Sequence, residues 1–315
     1  MLKLGIIGIN EGNGHPYSYT AVFNGYNEKA LDENCPFEII KKYLKTHHRN
    51  QEFIKDARVT HIWTQDRGLS ENVASVSNIP HIANSIEDLI ENVDAVVFAR
   101  DDMWNHWEMA EPVIRTGKPL YMDKLLAHNS EDLEKFIAVT GPDYPLLTAS
   151  SFRFAPEIEK AKREIDTSKV RAVHGMSPCV WVRYAPHLLD PVFSLFGRDI
   201  ESVQNTGIDK ADTVNINYEN GLQVVIQVIE GISLPLGFTC YSTGNIPPRQ
   251  VLYTDVDLSS YFHSIVHMMS SFTDMARNGN KAMSFEETVF LNRVVLAGIE
   301  SRENNNRKIT INEIF

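Results

Sequence analysis

The 315-residue sequence has little cysteine, a deficit of basic residues and no long apolar run. Cys35, Cys179 and Cys240 are odd in number and scattered, so neither a disulfide framework nor a zinc site is expected. Lysine and arginine total 30 against 41 aspartates and glutamates, a net charge of -11. A nucleic-acid partner would require a basic face, so none is expected. No apolar stretch is long enough to cross a bilayer, which argues against a membrane partner. The N-terminus carries one lysine and a strand-like run in place of a signal peptide's apolar core and cleavage site. The expected compartment is the cytoplasm.

What is present is an ordinary globular composition, 43% hydrophobic and 23% charged, in a chain long enough for two domains. The opening stretch LKLGIIGINEGNGHPYSY organises the rest. Leu4, Ile6, Ile7 and Ile9 read as a strand buried on both faces, and the run stops in a loop holding Gly8, Gly12 and Gly14 with Asn10 and Asn13 between them. A buried strand, a Gly/Asn turn and then a helix bring backbone N–H groups toward a phosphate at a helix N-terminus. The register from Gly8 gives Gly8, Asn10, Asn13 where the dinucleotide fingerprint has three glycines, and Glu11 adds a carboxylate beside it. Asparagine tolerates positive φ better than other side chains, so the turn survives these departures.

Further strands are expected at 59–64, 79–83, 94–99, 119–122 and 145–150, alternating with helices at 17–26, 70–76, 85–91, 104–117 and 130–140. This alternation predicts βαβ units and a parallel sheet. Residues 27–58 form a polar insertion with one helical piece near 37–44, and its His47-His48-Arg49 patch is expected to be solvated. After Ser151 the pattern changes. A helix at 156–165 is followed by strand-like runs at 170–176, 200–206, 213–218, 222–229, 238–242 and 250–255, and alternation in VNINY and QVVIQVI predicts an open, mostly antiparallel sheet covered on one face. Helices at 258–277 and 284–303 and a short strand at 308–311 close the chain. The fold class is thus α/β: an N-terminal doubly wound parallel sheet over residues 1–150, and a C-terminal α+β domain with an open sheet over 151–315.

The order of landmarks resembles the Gfo/Idh/MocA oxidoreductase family along nearly the whole chain. The matching pieces are GIIG, DAVVFARDDMWNHWEMAEPVIRTGKPLYMDK, SFRFAPEI, HLLDPVFSLFG and FTDMARNGNKAMSFEETVFLNRVVLAGIES. The resemblance implies a Rossmann-type dinucleotide-binding domain, a substrate-binding and oligomerisation domain, a homodimer or homotetramer, and NAD(P)-dependent redox chemistry on a sugar, nucleotide-sugar or polyol.

It also assigns roles. Lys124, in Asp123-Lys124-Leu125, aligns with the family's E-K-P lysine, whose ammonium stabilises negative charge developing on the reacting oxygen. His187, in HLLD, aligns with the catalytic histidine, and Asp190 three residues on shares its helical face. Many members carry an aspartate four residues before this histidine; here Arg183 stands there, followed by Tyr184, which suits an anionic group on the substrate. Asp66, at the end of the second strand, is where an acid accepts adenosine ribose hydroxyls, while Arg67 beside it suits a 2′-phosphate. NAD and NADP therefore both remain, with NAD favoured by Asp66. Arg100, Asp101 and Asn105 follow the fourth strand at the edge where ligands sit in such sheets. With Gly8, Asn10, Gly12, Asn13, Asp66, Arg67 and Asp123 they make the expected cofactor contacts. Lys124, Arg153, Arg183, Tyr184 and Asp190 are the expected substrate contacts, His15 is a further candidate, and no metal ligand set is expected. Two alternatives stand beside this reading. One is an enzyme using bound NAD transiently, as in epimerisation or glycoside cleavage; the other is a non-catalytic ligand-binding or regulatory protein on the same fold.

Overall fold

Short apolar runs separated by helices can bury both faces only as a parallel sheet sandwiched between helices. The computed structural model describes residues 1–51, 53–233, 236–252 and 258–314, and its first sheet is of this kind. Strands β1 (Leu2–Ile7), β2 (Ala57–Trp63), β3 (His81–Ile82), β4 (Ala95–Phe98), β5 (Leu120–Met122) and β6 (Leu146–Leu147) run parallel in the order β3-β2-β1-β4-β5-β6. All four positions of β4 and the last four of β1 are buried, as the unbroken apolar runs require. The order reverses between β1 and β4, which makes their carboxyl ends the topological switch point where ligands sit in open sheets.

Helices α1 (His15–Asn24), α2 (Glu28–Asn34), α3 (Glu38–Tyr43), α4 (Arg67–Val76), α5 (Ile86–Asn92), α6 (His106–Arg115) and α7 (Ser130–Val139) connect these strands. Asp66 and Ser85 cap α4 and α5 by accepting the Leu69 and Asp88 N–H groups at 3.0 and 3.1 Å.

The insertion 27–58 is folded onto α1. A Cβ on Gly14 would lie 2.3 Å from Ile40 Cδ1, and the Ser18 and Tyr43 hydroxyls are hydrogen-bonded. His48 corrects the expectation of a solvated patch. It is fully buried, its Nε2 donates to the Ala21 carbonyl at 2.7 Å, and its ring packs among Tyr26, Phe53 and Phe262. The polar neighbours Lys45, Thr46 and Arg49 face outward from the π turn Leu44–His48, so segment polarity hid its buried polar position.

Burial holds the His48 imidazole below its ordinary range, against the Ala21 carbonyl, and burial does the same to His106. The unfolded chain then binds these protons more readily, so the stability they give is complete above the ordinary value near 6.5 and is lost as pH falls through the lower folded value. Unfolding free energy measured in urea is expected to decline from pH 7 to pH 5. His48→Gln, which keeps a donor for Ala21, should decline less steeply.

The chain divides into two compact units, one of Met1–Ala127, Glu131–Ala149 and Asp257–Phe285, the other of His128–Ser130, Ser150–Val256 and Glu286–Phe315. Helix α10 (Ser259–Asn278) thus returns to the first unit, packing Tyr261 and Phe262 against Tyr43 and Met268 against Tyr121. No change of composition announces that return.

The second unit holds β7 (Val170–Pro178), β8 (Ile200–Asn205), β9 (Ala211–Tyr218), β10 (Gln223–Ile229), β11 (Gly237–Ser242), β12 (Arg249–Leu252) and β13 (Ile309–Thr310) in the order β12-β11-β7-β10-β9-β8-β13. All neighbours are antiparallel except β7 and β10. Burial alternates along β9 and β10, with Val214, Ile216, Val224 and Ile226 inward and Asn215, Asn217 and Gln227 outward. Helices α8 (Pro156–Glu164), α9 (Trp181–Phe196), α12 (Ile311–Ile314) and, from Glu286 on, α11 (Phe285–Glu303) belong to this unit. The strand expected at 250–255 is observed as Arg249–Leu252, and its residues 253–255 lie outside the described residues.

Candidate active site

In the first unit, four loops leave the carboxyl ends of β1, β2, β4 and β5, and their polar side chains meet at the switch point. Arg100, 4% exposed, donates from Nη1 to the Ile9 carbonyl at 3.0 Å and to Gln65 Oε1 at 2.7 Å, and from Nε to Asp102 Oδ1 at 2.8 Å. Asn105 Nδ2 donates to the same Asp102 carboxylate at 2.7 Å, and Gln65 Nε2 donates to the Ile9 carbonyl at 2.7 Å. Asn10 is tied to the β4 loop, donating to Asp101 Oδ1 at 2.9 Å and accepting the Asp101 N–H at 3.2 Å. Buried guanidinium and carboxylate groups are tolerable only when paired in this way.

Lys124 lies beside this network, 3% exposed. Its Nζ is 3.8 Å from Asp101 Oδ2 and 3.7 Å from Asp123 Oδ1, and the peptide bond to Leu125 is cis. Asp123 is fully buried, accepts the Lys124 N–H at 3.0 Å and is paired on its other oxygen with His15 Nδ1. Burial pushes the Asp123 carboxyl up, but His15 and Lys124 together outweigh it and hold the group below its usual range. His15 is the first residue of α1; its imidazole stacks on Tyr19 with ring centroids 4.9 Å apart.

In the turn from β1 into α1 the first helical N–H groups are already used, His15's by Asn13 Oδ1 and Tyr17's by the Gly14 carbonyl, and Pro16 has none, but two features still suit a phosphate. Gly12 has φ +75° with open space where a Cβ would stand, and the buried Asn13 Nδ2 has no hydrogen-bond partner. Glu11 is exposed on the same turn. Gly8 is needed for a different reason, since a Cβ there would stand 2.7 Å from Pro16 Cγ.

In the second unit, Ser150 Oγ stands 2.8 Å from His187 Nδ1, and the Ser150 N–H donates to Asp190 Oδ2 at 2.9 Å. A hydroxyl can donate or accept there, so either imidazole tautomer is accommodated. Arg153 Nη1 donates to Asp190 Oδ1 and Nη2 to Glu287 Oε1, each at 2.8 Å. Burial pushes the Asp190 carboxyl up, against Arg153 and the Ser150 N–H, which pull it down. Tyr184 packs edge-on against His187 at 5.3 Å, one helical turn before it on α9, and Arg183 is partly exposed beside it.

The structure therefore brings Asn10, Arg100, Asp101, Asn105, Asp123 and Lys124 together, and separately gathers His187, Tyr184, Arg183, Asp190 and Arg153. Asp66 spends one carboxylate oxygen capping α4, and Arg67 lies on the surface beside Glu71 and Asn84. Arg153 and Asp190 are engaged with each other. Sequence reasoning missed Gln65, Ser150 and Glu287, whose positions follow only from the folded geometry. Among the described residues no group of three or more His, Cys, Asp or Glu is arranged to hold a metal ion, and no helix is long and apolar enough to cross a membrane.

No family model matches the sequence, and no curated protein is similar to it by sequence comparison. Solved structures are similar over the whole chain. Scyllo-inositol dehydrogenase from Lactobacillus casei, determined with NAD(H) and scyllo-inositol, matches with a TM-score of 0.73 at 12% identity, over 99% of each chain. Myo-inositol 2-dehydrogenase from Lactobacillus plantarum gives 0.73 at 11% identity, over 98% of this chain and 99% of that one. An oxidoreductase from Agrobacterium radiobacter, in complex with NAD+, L-tartaric acid and magnesium, gives 0.71 at 14% identity, over 100% and 99%. At such identity the likeness establishes the fold, which is the one expected from the Gfo/Idh/MocA resemblance.

Proposed function

We propose that this chain, which has the fold of the inositol dehydrogenases, is an NAD(P)-dependent oxidoreductase acting on a hydroxyl or keto carbon of a sugar-like polyol. The observation that carries the reading is Lys124, a buried lysine between two carboxylates beside the switch point of a parallel sheet. The β1–α1 turn fits a dinucleotide, because Gly12 leaves room for a phosphate and Asn13 has an unspent donor at a helix N-terminus. Gly12 and Asn13 would hold the phosphates, with Asp66 or Arg67 on the adenosine ribose. When bound, the nicotinamide supplies the hydride acceptor or donor. Lys124 stabilises negative charge on the substrate oxygen, and His187, oriented by Ser150, takes or returns the hydroxyl proton. Asp190, Arg153 and Glu287 fix Ser150 and α9 as a frame, while Arg183 and Tyr184 set which substrate is accepted. A homodimer or homotetramer is part of this proposal.

The second reading, a ligand-binding protein without redox chemistry, is favoured by the internal use of Asn10 and Asp66 and by Glu11 on the turn. Calorimetric titration with NAD+, NADH, NADP+ and NADPH separates the two. The expected result is micromolar binding of one oxidised and reduced pair. Absence of binding by folded protein free of copurified nucleotide would overturn the oxidoreductase reading.

A further inference from the structure

His15 and Asp123 stand 108 residues apart in sequence and form a partly buried pair whose other side faces Lys124. One carboxylate therefore serves two basic groups. Its Oδ2 takes His15 Nδ1 from the start of α1, and its Oδ1 takes the Lys124 backbone N–H and lies 3.7 Å from Nζ. The His15 side chain keeps 20% of its surface exposed, whereas those of Asp123 and Lys124 keep 1% and 4%. The imidazole is thus the member of the trio in contact with solvent.

The remaining charged and titratable neighbours come from α1 itself and from other elements. Asp101, after β4, faces Lys124 at 3.8 Å. Tyr19, also on α1, stacks on His15 and meets Tyr121 of β5. His106 of α6 is within the electrostatic reach of Asp123, and its two ring nitrogens lie 3.0 and 3.2 Å from the Arg100 and Leu126 carbonyls. None of these offers Asp123 a second solvent-facing base.

We propose that His15 is a positioning residue for the Lys124 centre, dividing the single charge of Asp123 with it, so that the proton state of His15 sets how firmly Lys124 is held as an ammonium. Protonated His15 draws the carboxylate's charge to itself and loosens Lys124. Neutral His15 leaves that charge to Lys124 and tightens it. Two cations on one buried anion oppose each other, and low local dielectric makes the opposition strong. The proposal rests on reading Lys124 as the catalytic ammonium, but the coupling itself needs no cofactor.

The test is an NMR titration of the His15 imidazole in the cofactor-free protein, assigned by its loss in His15→Asn. Lys124→Met removes the competing cation, and the pH at which His15 titrates is expected to rise by about one unit. Asp123→Asn removes the shared anion, and the midpoint is expected to fall by a similar amount. A His15 midpoint unmoved by Lys124→Met in folded protein overturns the proposal, even if Asp123→Asn fails to fold. A second measurement uses the active enzyme. His15→Asn keeps a donor for Asp123 and removes the titration, so the pH profile of kcat should lose the limb belonging to His15 while KM for the nucleotide stays within twofold. An unchanged profile also overturns the proposal. If the midpoints move but no nucleotide binds, the coupling stands and the oxidoreductase reading fails; if turnover is found and the midpoints do not move, the reverse holds.

Discussion

Lys124→Ala is expected to lower kcat by about 10²- to 10³-fold, the usual effect of deleting one preorganised group that stabilises an oxyanion. Truncation to Cβ removes the amine from beside Asp101 and Asp123, leaving a cavity and two buried carboxylates with less compensating charge. Nucleotide affinity should change by only a few-fold, because the β1–α1 turn is untouched. Steady-state kinetics with calorimetry on the same preparation checks both parts. Loss of kcat with intact nucleotide binding places Lys124 at the chemical step. Unchanged kcat would make it a structural lysine. Lys124→Arg would keep the charge but replace a compact ammonium with a planar fork, and should recover binding better than rate.

Trp181→Ala is expected to cost about 3–5 kcal/mol of unfolding free energy, the range for truncating a large aromatic in a core. Trp181 is 2% exposed, and its indole N–H donates to the Val295 carbonyl at 2.9 Å. A Cβ on Gly298 would lie 2.9 Å from the indole nitrogen, so α11 comes this close only because that residue has no side chain. Truncation leaves a cavity against a backbone already at contact distance, with the Val295 carbonyl short of a donor. Urea denaturation followed by circular dichroism measures the loss, and a value under 1 kcal/mol would mean that the site collapses freely. Because Trp181 opens the helix that carries His187, the variant should lose activity on heating sooner than it loses nucleotide binding.

The strands of both sheets were legible because burial imposes a period. Unbroken runs such as DAVVFA mark strands covered on both faces, and alternation in VNINY and QVVIQVI marks a sheet covered on one. Within the candidate site, the loops after β1, β4 and β5 could be located because a sheet's carboxyl edge follows from strand order alone. The partnerships inside them could not. Asp66 at a strand end has equal chemistry for a ribose hydroxyl and for the N–H groups of a nascent helix, and the helix takes one of its oxygens. Arg153 and Asp190 satisfy each other across 37 residues, and His15 reaches Asp123 across 108, separations at which spacing carries no information. His48 was hidden for a local reason, as a buried polar side chain among exposed polar neighbours on one turn.

The return of α10 to the first unit has a consequence for how the protein is made. As the chain leaves the ribosome, β1 to β6 and their connecting helices emerge first, yet the helix that covers Tyr43 and Tyr121 follows β7 to β12 of the second sheet. At ordinary rates of synthesis the interval between Ala149 and Ser259 is roughly 5–20 s. Throughout it the nascent first unit presents an aromatic face with no mate from its own chain. Exposed apolar surface of this kind is what makes partly folded chains prone to aggregate.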